Sequence, residues 1–223
     1  MQHQVVAIDG PAGAGKSTIA RVLAARLGFV YLPSGNFYRA VAWRALGAGT
    51  SPDDEAALAR LCDSVSIEVR HEDGAWRTFV DGRDVTAELG RSAVGEAASR
   101  LSVFPAVRER MVALQRRMAT RGPVVAEGRD MASVVFPEAS HKFYLDASVE
   151  ERARRRGSEL RERGEGADEG ALAEEIARRD ARDSSRAAAP LRQVAGAVRV
   201  DTTELTIEEV VERLLEAMGR RPS

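Results

Sequence analysis

The sequence predicts an α/β fold: a five-stranded parallel sheet flanked by helices, carrying a small antiparallel β insert. Three observations lead there. Short apolar runs alternate with helical patterns at both ends of the chain. A glycine-rich loop joins the first apolar run to the first helical pattern, and a stretch of strict alternation interrupts the order near residue 65. With 223 residues, 44% hydrophobic and 30% charged, the chain is long enough for one substantial core.

Each element has its own warrant. Residues 5–8 read as a buried parallel strand, and residues 16–27 carry Ile19, Val22, Leu23 and Leu27 at helical spacing, with Gly28 placed to end the helix. Residues 29–32 form a second strand. Pro33-Ser34-Gly35 then opens a helical pattern to about Leu46, with Ser34 in an N-cap-like position, and a short helix follows over 53–62. Val65, Ile67 and Val69 alternate, as do Trp76, Thr78 and Val80, across a turn containing Asp73-Gly74; this predicts an antiparallel hairpin. Helical patterns return at 91–101 and 106–119, where Pro105 suits a first helical position. Apolar runs at 124–126, 143–145 and 197–200 complete five candidates for one parallel sheet, on which ligands collect at the carboxyl ends of strands. Ser148-Val149-Glu150-Glu151 and Thr206-Ile207-Glu208-Glu209 both fit capping boxes and mark helix starts near 149 and 207. Between them, residues 161–170 (RERGEGADEG) are polar and glycine-rich, a mobile connection that reads equally as a solvated loop or as a lid.

Composition excludes several functions. Lys plus Arg (33) nearly cancel Asp plus Glu (34), so no global basic field exists to drive binding to nucleic acid or membranes. The run Arg152, Arg154, Arg155, Arg156 suggests an RNA-binding module as a noncatalytic alternative, but the balanced charge favours a solvated helix face or a flank of the lid. Cys62 is the sole cysteine, which excludes an internal disulfide, fits a reducing compartment and reads as a small core residue. His3, His71 and His141 show no metal-ligand spacing. No signal peptide is apparent and no apolar stretch reaches about 18 residues, so the expected address is the cytoplasm.

The chemistry begins at Gly10-Pro11-Ala12-Gly13-Ala14-Gly15-Lys16-Ser17, which fits the G-x-x-x-x-G-K-[ST] phosphate-binding loop in its required strand-to-helix setting. Its glycines let successive N–H groups turn inward around phosphate oxygens at a helix N-terminus. Lys16 should reach the terminal phosphates and the Ser17 hydroxyl a magnesium ion; with Thr18 these residues form the expected ATP-binding set. Lys16 and Lys142 are the only lysines, all other Lys and Arg positions being arginine. Asp9 and Glu127 compete as outer-shell partners of a magnesium-bound water. Arg39 and Arg129 should lie on the ligand face, and Arg179, Asp183 and Arg186 stack on one helix face by their spacing. On periodicity alone that stripe is a solvated salt-bridge ladder. A GTP-dependent switch would show an Asn-Lys-x-Asp segment, and none occurs.

Taken together, the motifs closely resemble those of bacterial cytidylate kinases, nucleoside monophosphate kinases that move a phosphoryl group from ATP to CMP or dCMP. The likeness covers nearly the whole chain. It rests on Asp9-Gly10-Pro11 with the phosphate loop, Ser34-Gly35 with Tyr38-Arg39, Ala97-Ala98-Ser99, and Phe104-Pro105 with Val107-Arg108. It continues through Glu127-Gly128-Arg129-Asp130-Met131, Val135-Phe136-Pro137, and Arg179-Asp180 with Arg182-Asp183 and Arg186. The resemblance implies a P-loop nucleoside monophosphate kinase fold, one kinase domain over 1–223 with a core of 1–62 and 100–223, a monophosphate-binding insert at about 63–99 and a lid at about 154–170. It further implies a monomer using ATP and Mg2+.

By the same resemblance, Ser34, Arg39 and Arg129 hold the acceptor phosphate; Ser99, Arg108 and Asp130 read the cytosine; and Arg179, Asp183 and Arg186 serve sugar and phosphates. Lys16, Arg129, Arg179 and Arg186 are the implied catalytic set. Cytosine offers an exocyclic amine beside two acceptors, so a carboxylate suits the amine while an arginine and a hydroxyl suit the ring nitrogen and carbonyl. Two departures stand out. Pro33 occupies a position that is often small and polar or acidic, and Ala132 replaces a common glycine after Asp-Met. The alternative reading is a small-metabolite kinase of the shikimate type, which would share the donor half but lack the cytosine-reading trio.

Overall fold

The computed structural model describes residues 4–162, 164, 166, 168–186 and 189–220. In chain order the elements are β1 (Val5–Asp9), α1 (Lys16–Leu27), β2 (Val30–Pro33), α2 (Ser34–Gly47), α3 (Glu55–Ser64), β3 (Ile67–Glu72), β4 (Ala75–Val80) and β5 (Arg83–Asp84). Then come α4 (Ser92–Leu101), α5 (Pro105–Ala119), β6 (Val124–Gly128), β7 (His141–Asp146), α6 (Val149–Glu162), α7 (Glu169–Ser185), β8 (Val198–Asp201) and α8 (Ile207–Ala217). The chain divides into two compact units, Met1–Val30 with Gly122–Ser223, and Tyr31–Arg121.

The expected five-stranded sheet runs in the order β2-β6-β1-β7-β8, and β6, β1, β7, β8 and Val30 of β2 belong to the first unit. β1 lies between β6 and β7 and pairs in parallel with both, while β8 adds to β7 in the same sense. β2 enters through Val30, whose N–H donates to Pro123 O at 2.9 Å. The middle strands are apolar without alternation because both faces are covered: Val6, Ala7, Ile8 and Val124, Val125, Ala126 are all fully buried. Helices flank the sheet, and α8 buries Val210, Val211, Leu214 and Leu215 along one stripe. The Thr206–Glu209 capping box is complete. The Ser148 box is only half formed, a correction to its reading as a full box: Ser148 Oγ accepts from Glu151 N at 3.1 Å, but Arg154 and Arg155 hold the Glu151 carboxylate.

α6 and α7 pack through Ala153, Leu160, Leu172 and Ile176. Asp168 caps α7 by accepting from Gly170 N and Ala171 N. Residues 154–162 of the expected lid belong to α6, and residues 163, 165 and 167 lie outside the described residues, as does His3.

The second unit holds α2–α5 and an antiparallel sheet, β3-β4-β5. The hairpin turns at Asp73 (φ 52°) and Gly74 (φ 75°), the doubly left-handed pair that lets a two-residue turn follow the twist of its strands. A third strand follows, because Asp81 (φ 50°) and Gly82 (φ 82°) repeat the device and pair Val80 with Arg83. α2 starts one residue earlier than its cap was expected: Pro33 is the N-cap, and Ser34 is the first helical residue rather than the capping one. Pro105 occupies the first turn of α5, as its fixed φ favours. Among the described residues, no helix is long and apolar enough to cross a membrane.

Candidate active site

The phosphate loop needs its glycines for two separate reasons. Gly13 and Gly15 sit at φ 80° and 79°, where a side chain is strained. At Gly10 the obstacle is space: a Cβ there would lie 1.9 Å from the main-chain oxygen of Leu145 on β7. The loop can therefore lie directly on the sheet. Behind it, the Thr202 hydroxyl donates to Asp146 O at 3.0 Å and approaches Ala14 O at 3.4 Å.

Lys16 opens α1 and is buried, with Nζ donating to Pro11 O at 2.6 Å, so the ammonium folds over its own loop. Burial, followed by the neighbouring charge of Arg129, lowers its pKa to about 7, and Arg179 acts in the same direction. The next residue, Ser17, donates its hydroxyl to Glu127 Oε1 at 2.9 Å. Asp9 holds backbone. Its two carboxylate oxygens accept from Met131 N and Ala132 N, each at 2.8 Å, and so pin the single π-helical turn Met131–Val135 that follows Arg129 and Asp130. Asp9 thus anchors backbone, and Glu127 is the carboxylate beside Ser17. Burial raises the Asp9 pKa to about 6 against the pull of those two N–H groups.

The stripe on α7 is not a solvated ladder. Asp183 is buried and accepts from Arg129 Nε at 2.9 Å. Burial alone would raise its pKa, but Arg129, Arg179 and Arg186 together hold the carboxylate below its usual range. Both Arg129 and Arg179 also act on Lys16, so the α7 ridge and the phosphate loop share one electrostatic neighbourhood. Arg186 stands at the end of α7, where its Nε donates to Ala189 O. Asp130, also buried, precedes the π-helical turn.

A cavity of about 590 Å³ opens beside the loop. Gly13 to Thr18 line one side, Arg154, Arg155 and Ser158 of α6 another, and Thr202, Leu205 and Ile207 a third. Sequence reasoning missed two contributors here. Arg155 donates to Thr202 O at 2.6 Å and holds α6 to this wall. Arg152, expected on a solvated helix face or a flank of the lid, is buried behind the cavity rather than solvated and is bonded to the loop itself, at Ala12 O. Nothing in a run of Glu and Arg residues distinguishes its one buried member.

The remaining expected residues lie in the second unit, where α2, α4 and α5 bring them together. Ser34 is buried at the start of α2. Arg39 Nη1 donates to Leu89 O at 2.6 Å, with its guanidinium against Gly95 of α4. Arg108 is buried, donates to Ser102 O at 3.1 Å and lies 5.8 Å from the Tyr38 ring; the Ser102 hydroxyl in turn donates to Ser99 O.

A glycine loop laid on the end of a central parallel strand, a buried lysine, and arginines gathered around one carboxylate define a phosphate-binding-loop kinase. Solved structures of the same fold include an uncharacterized protein from Eubacterium ventriosum (TM-score 0.55, 9% identity, 98% of this chain and 99% of that one). A gluconokinase from Sinorhizobium meliloti is similar at TM-score 0.50 and 13% identity, over 98% of this chain and 92% of that one. The family model for cytidylate kinase matches residues 6–220. The cytidylate kinase of Symbiobacterium thermophilum is 48% identical over 97% of this chain and 96% of its own length, and that of Geobacillus kaustophilus 49% identical over 97% and 96%. The chain belongs to the cytidylate kinase family.

Proposed function

We propose that this protein transfers the γ-phosphoryl group of ATP to CMP or dCMP, giving ADP and CDP or dCDP. The observation that carries this reading is the shared environment of Lys16, Arg129 and Arg179 around the phosphate loop and Asp183. A monophosphate needs no general base, since its attacking oxygen is already largely ionised near neutral pH, with a second pKa of about 6. The obstacle is bringing two anions into line, which calls for cations on both and for exclusion of water. Residues 10–18 hold the triphosphate, with the base and ribose of ATP in the cavity bounded by α6 and residues 202–207. Ser34, Arg39 and Arg129 take the acceptor phosphate, and Arg179 and Arg186, oriented by Asp183, meet charge on the group in transfer.

The Ser17 hydroxyl and Glu127 carboxylate are hard oxygen donors and fit a magnesium ion that keeps most of its water. Bound there, it would neutralise phosphate charge. Among the described residues no group of three or more His, Cys, Asp or Glu side chains could hold a metal ion. A monomeric, cytoplasmic enzyme is the form the family resemblance supports.

Asp130, Arg108 and Ser99 are the base readers in this proposal, and burial of all three supports it. Uracil would set a carbonyl against Asp130 and an N–H against Arg108, each mismatch costing about 1–3 kcal/mol. The small-metabolite alternative has less support, because the family match spans the segments bearing this trio. The test is coupled ADP release with CMP, dCMP, UMP, AMP and GMP, for the wild type and Asp130→Ala. Turnover with CMP and dCMP, at least about 30-fold better than with UMP and blunted in the variant, is the expected result. Equal use of UMP would overturn the base assignment, and no turnover with either cytidine nucleotide would overturn the activity.

A further inference from the structure

We infer that Arg152 is a positioning residue: with Asp180 it forms a strut that sets the phosphate loop against α7 and its transfer cations. Arg152 has 5% of its side chain exposed, so it offers almost no surface to a ligand. Its guanidinium instead serves three segments. Nε donates to Ala147 O at 3.0 Å, after β7; Nη1 donates both to Ala12 O at 3.1 Å, in the phosphate loop, and to the Asp180 carboxylate on α7. The loop also rests on the residue itself, since a Cβ added to Gly13 would lie 2.9 Å from Arg152 Cβ and 3.3 Å from its carbonyl oxygen. Gly13 is a glycine partly because Arg152 lies against it.

Asp180 sits between Arg179 and Asp183 on one rigid helix, and Asp183 accepts from Arg129 at the end of β6. A closed circuit results: Ala12 to Arg152, to Asp180, along α7 to Asp183, and back through Arg129 to the strand beside β1. Its consequence is mechanical. The loop that holds the donor cannot shift against the helix that carries Arg179 without breaking the bonds of Arg152. Lysine could not replace this arginine, because an ammonium on a single point cannot span acceptors that a planar guanidinium reaches from separate nitrogens. Since displacements near 1 Å between reacting groups cost about 10²-fold in rate, a slackened strut should appear in turnover rather than in affinity.

The inference rests on the kinase activity proposed above, and wild-type turnover with CMP in the same assay checks that activity separately. Arg152→Lys, the near-isosteric Asp180→Asn and the double variant are compared by kcat, by KM for ATP and CMP, and by melting temperature, assayed where all are folded. The expected result is a kcat lowered about 10- to 100-fold in each single variant, KM values within about threefold of wild type, and a double variant no slower than the worse single one. Folded variants with wild-type kcat, whatever their melting temperatures, would reduce the pair to ordinary stabilisation and overturn the inference. Losses that multiply in the double variant would overturn it too, by showing that the two residues act apart.

Discussion

Lys16 Nζ donates to Pro11 O across 2.6 Å, so the loop holds its own lysine in a buried pocket where the ammonium is costly. With a pKa near 7 the group is partly neutral at physiological pH, whereas triphosphate oxygens favour the charged form. Binding of ATP should therefore take up a proton at Lys16. Calorimetry of ATP binding at pH 8, in two buffers of different ionisation enthalpy, should show uptake approaching one proton, with affinity declining as pH rises above 7. Lys16→Met should abolish the uptake. Equal apparent enthalpies in the two buffers would count against it.

Asp9 gives stability an acid-side component of opposite sense from that of the salt-bridged carboxylates. Its pKa is raised from 3.8 to about 6, chiefly by burial, so the folded state holds this proton more tightly than the unfolded chain does. The contribution is full below 3.8 and is lost as pH rises through about 6, a change of about 3 kcal/mol. Other carboxylates, such as Glu151 and Asp183, are shifted downward and mask it in the total. Comparison with Asp9→Asn isolates it: between pH 4 and pH 7 the stability of wild type relative to the variant should fall, as read by urea denaturation. A difference independent of pH would refute the assignment.

Two glycines should respond oppositely to alanine. Gly10→Ala forces a methyl group into Leu145 O and should cost more than about 2 kcal/mol, with loss of ATP binding. Gly47, at the end of α2, meets nothing within 4 Å, so Gly47→Ala should leave stability within about 1 kcal/mol or raise it. Denaturant titration of both variants provides the comparison.

Gly95 offers a subtler lever on Arg39. A Cβ there would lie 3.1 Å from Arg39 Nη1 and 3.2 Å from Nη2, close enough to move the guanidinium but not to break the helix. Gly95→Ala should raise KM for CMP severalfold and leave KM for ATP near wild type. An unchanged KM for CMP would remove Arg39 from the acceptor phosphate.

Much of this was legible in the sequence because the signals are local. The phosphate loop, the Asp73-Gly74 turn, Pro105 at the start of α5 and the Thr206 box each bring their own backbone chemistry, and the structure repeats them nearly residue for residue. The third strand was legible too, had Asp81-Gly82 been weighed as Asp73-Gly74 was. Ser34 misled because a serine after a proline resembles a cap, whereas Pro33, the last residue of β2 and still extended, takes the N-cap position and Ser34 is already helical. Residues such as Arg152 and Asp9 were illegible for a deeper reason. Their roles depend on acceptors and donors over a hundred positions away, at Ala12 O and at Met131 N, and no periodicity encodes that.

In the proposed reaction the arginines around Asp183 act on the phosphoryl group in transfer. Steady-state turnover of Arg179→Ala and Arg186→Ala with saturating ATP and CMP tests it most directly. A fall in kcat of about 10²- to 10³-fold, with folding intact, is the result predicted for groups that stabilise transition-state charge. Turnover equal to wild type in both variants would contradict it and leave the buried Asp183 cluster a structural feature of α7.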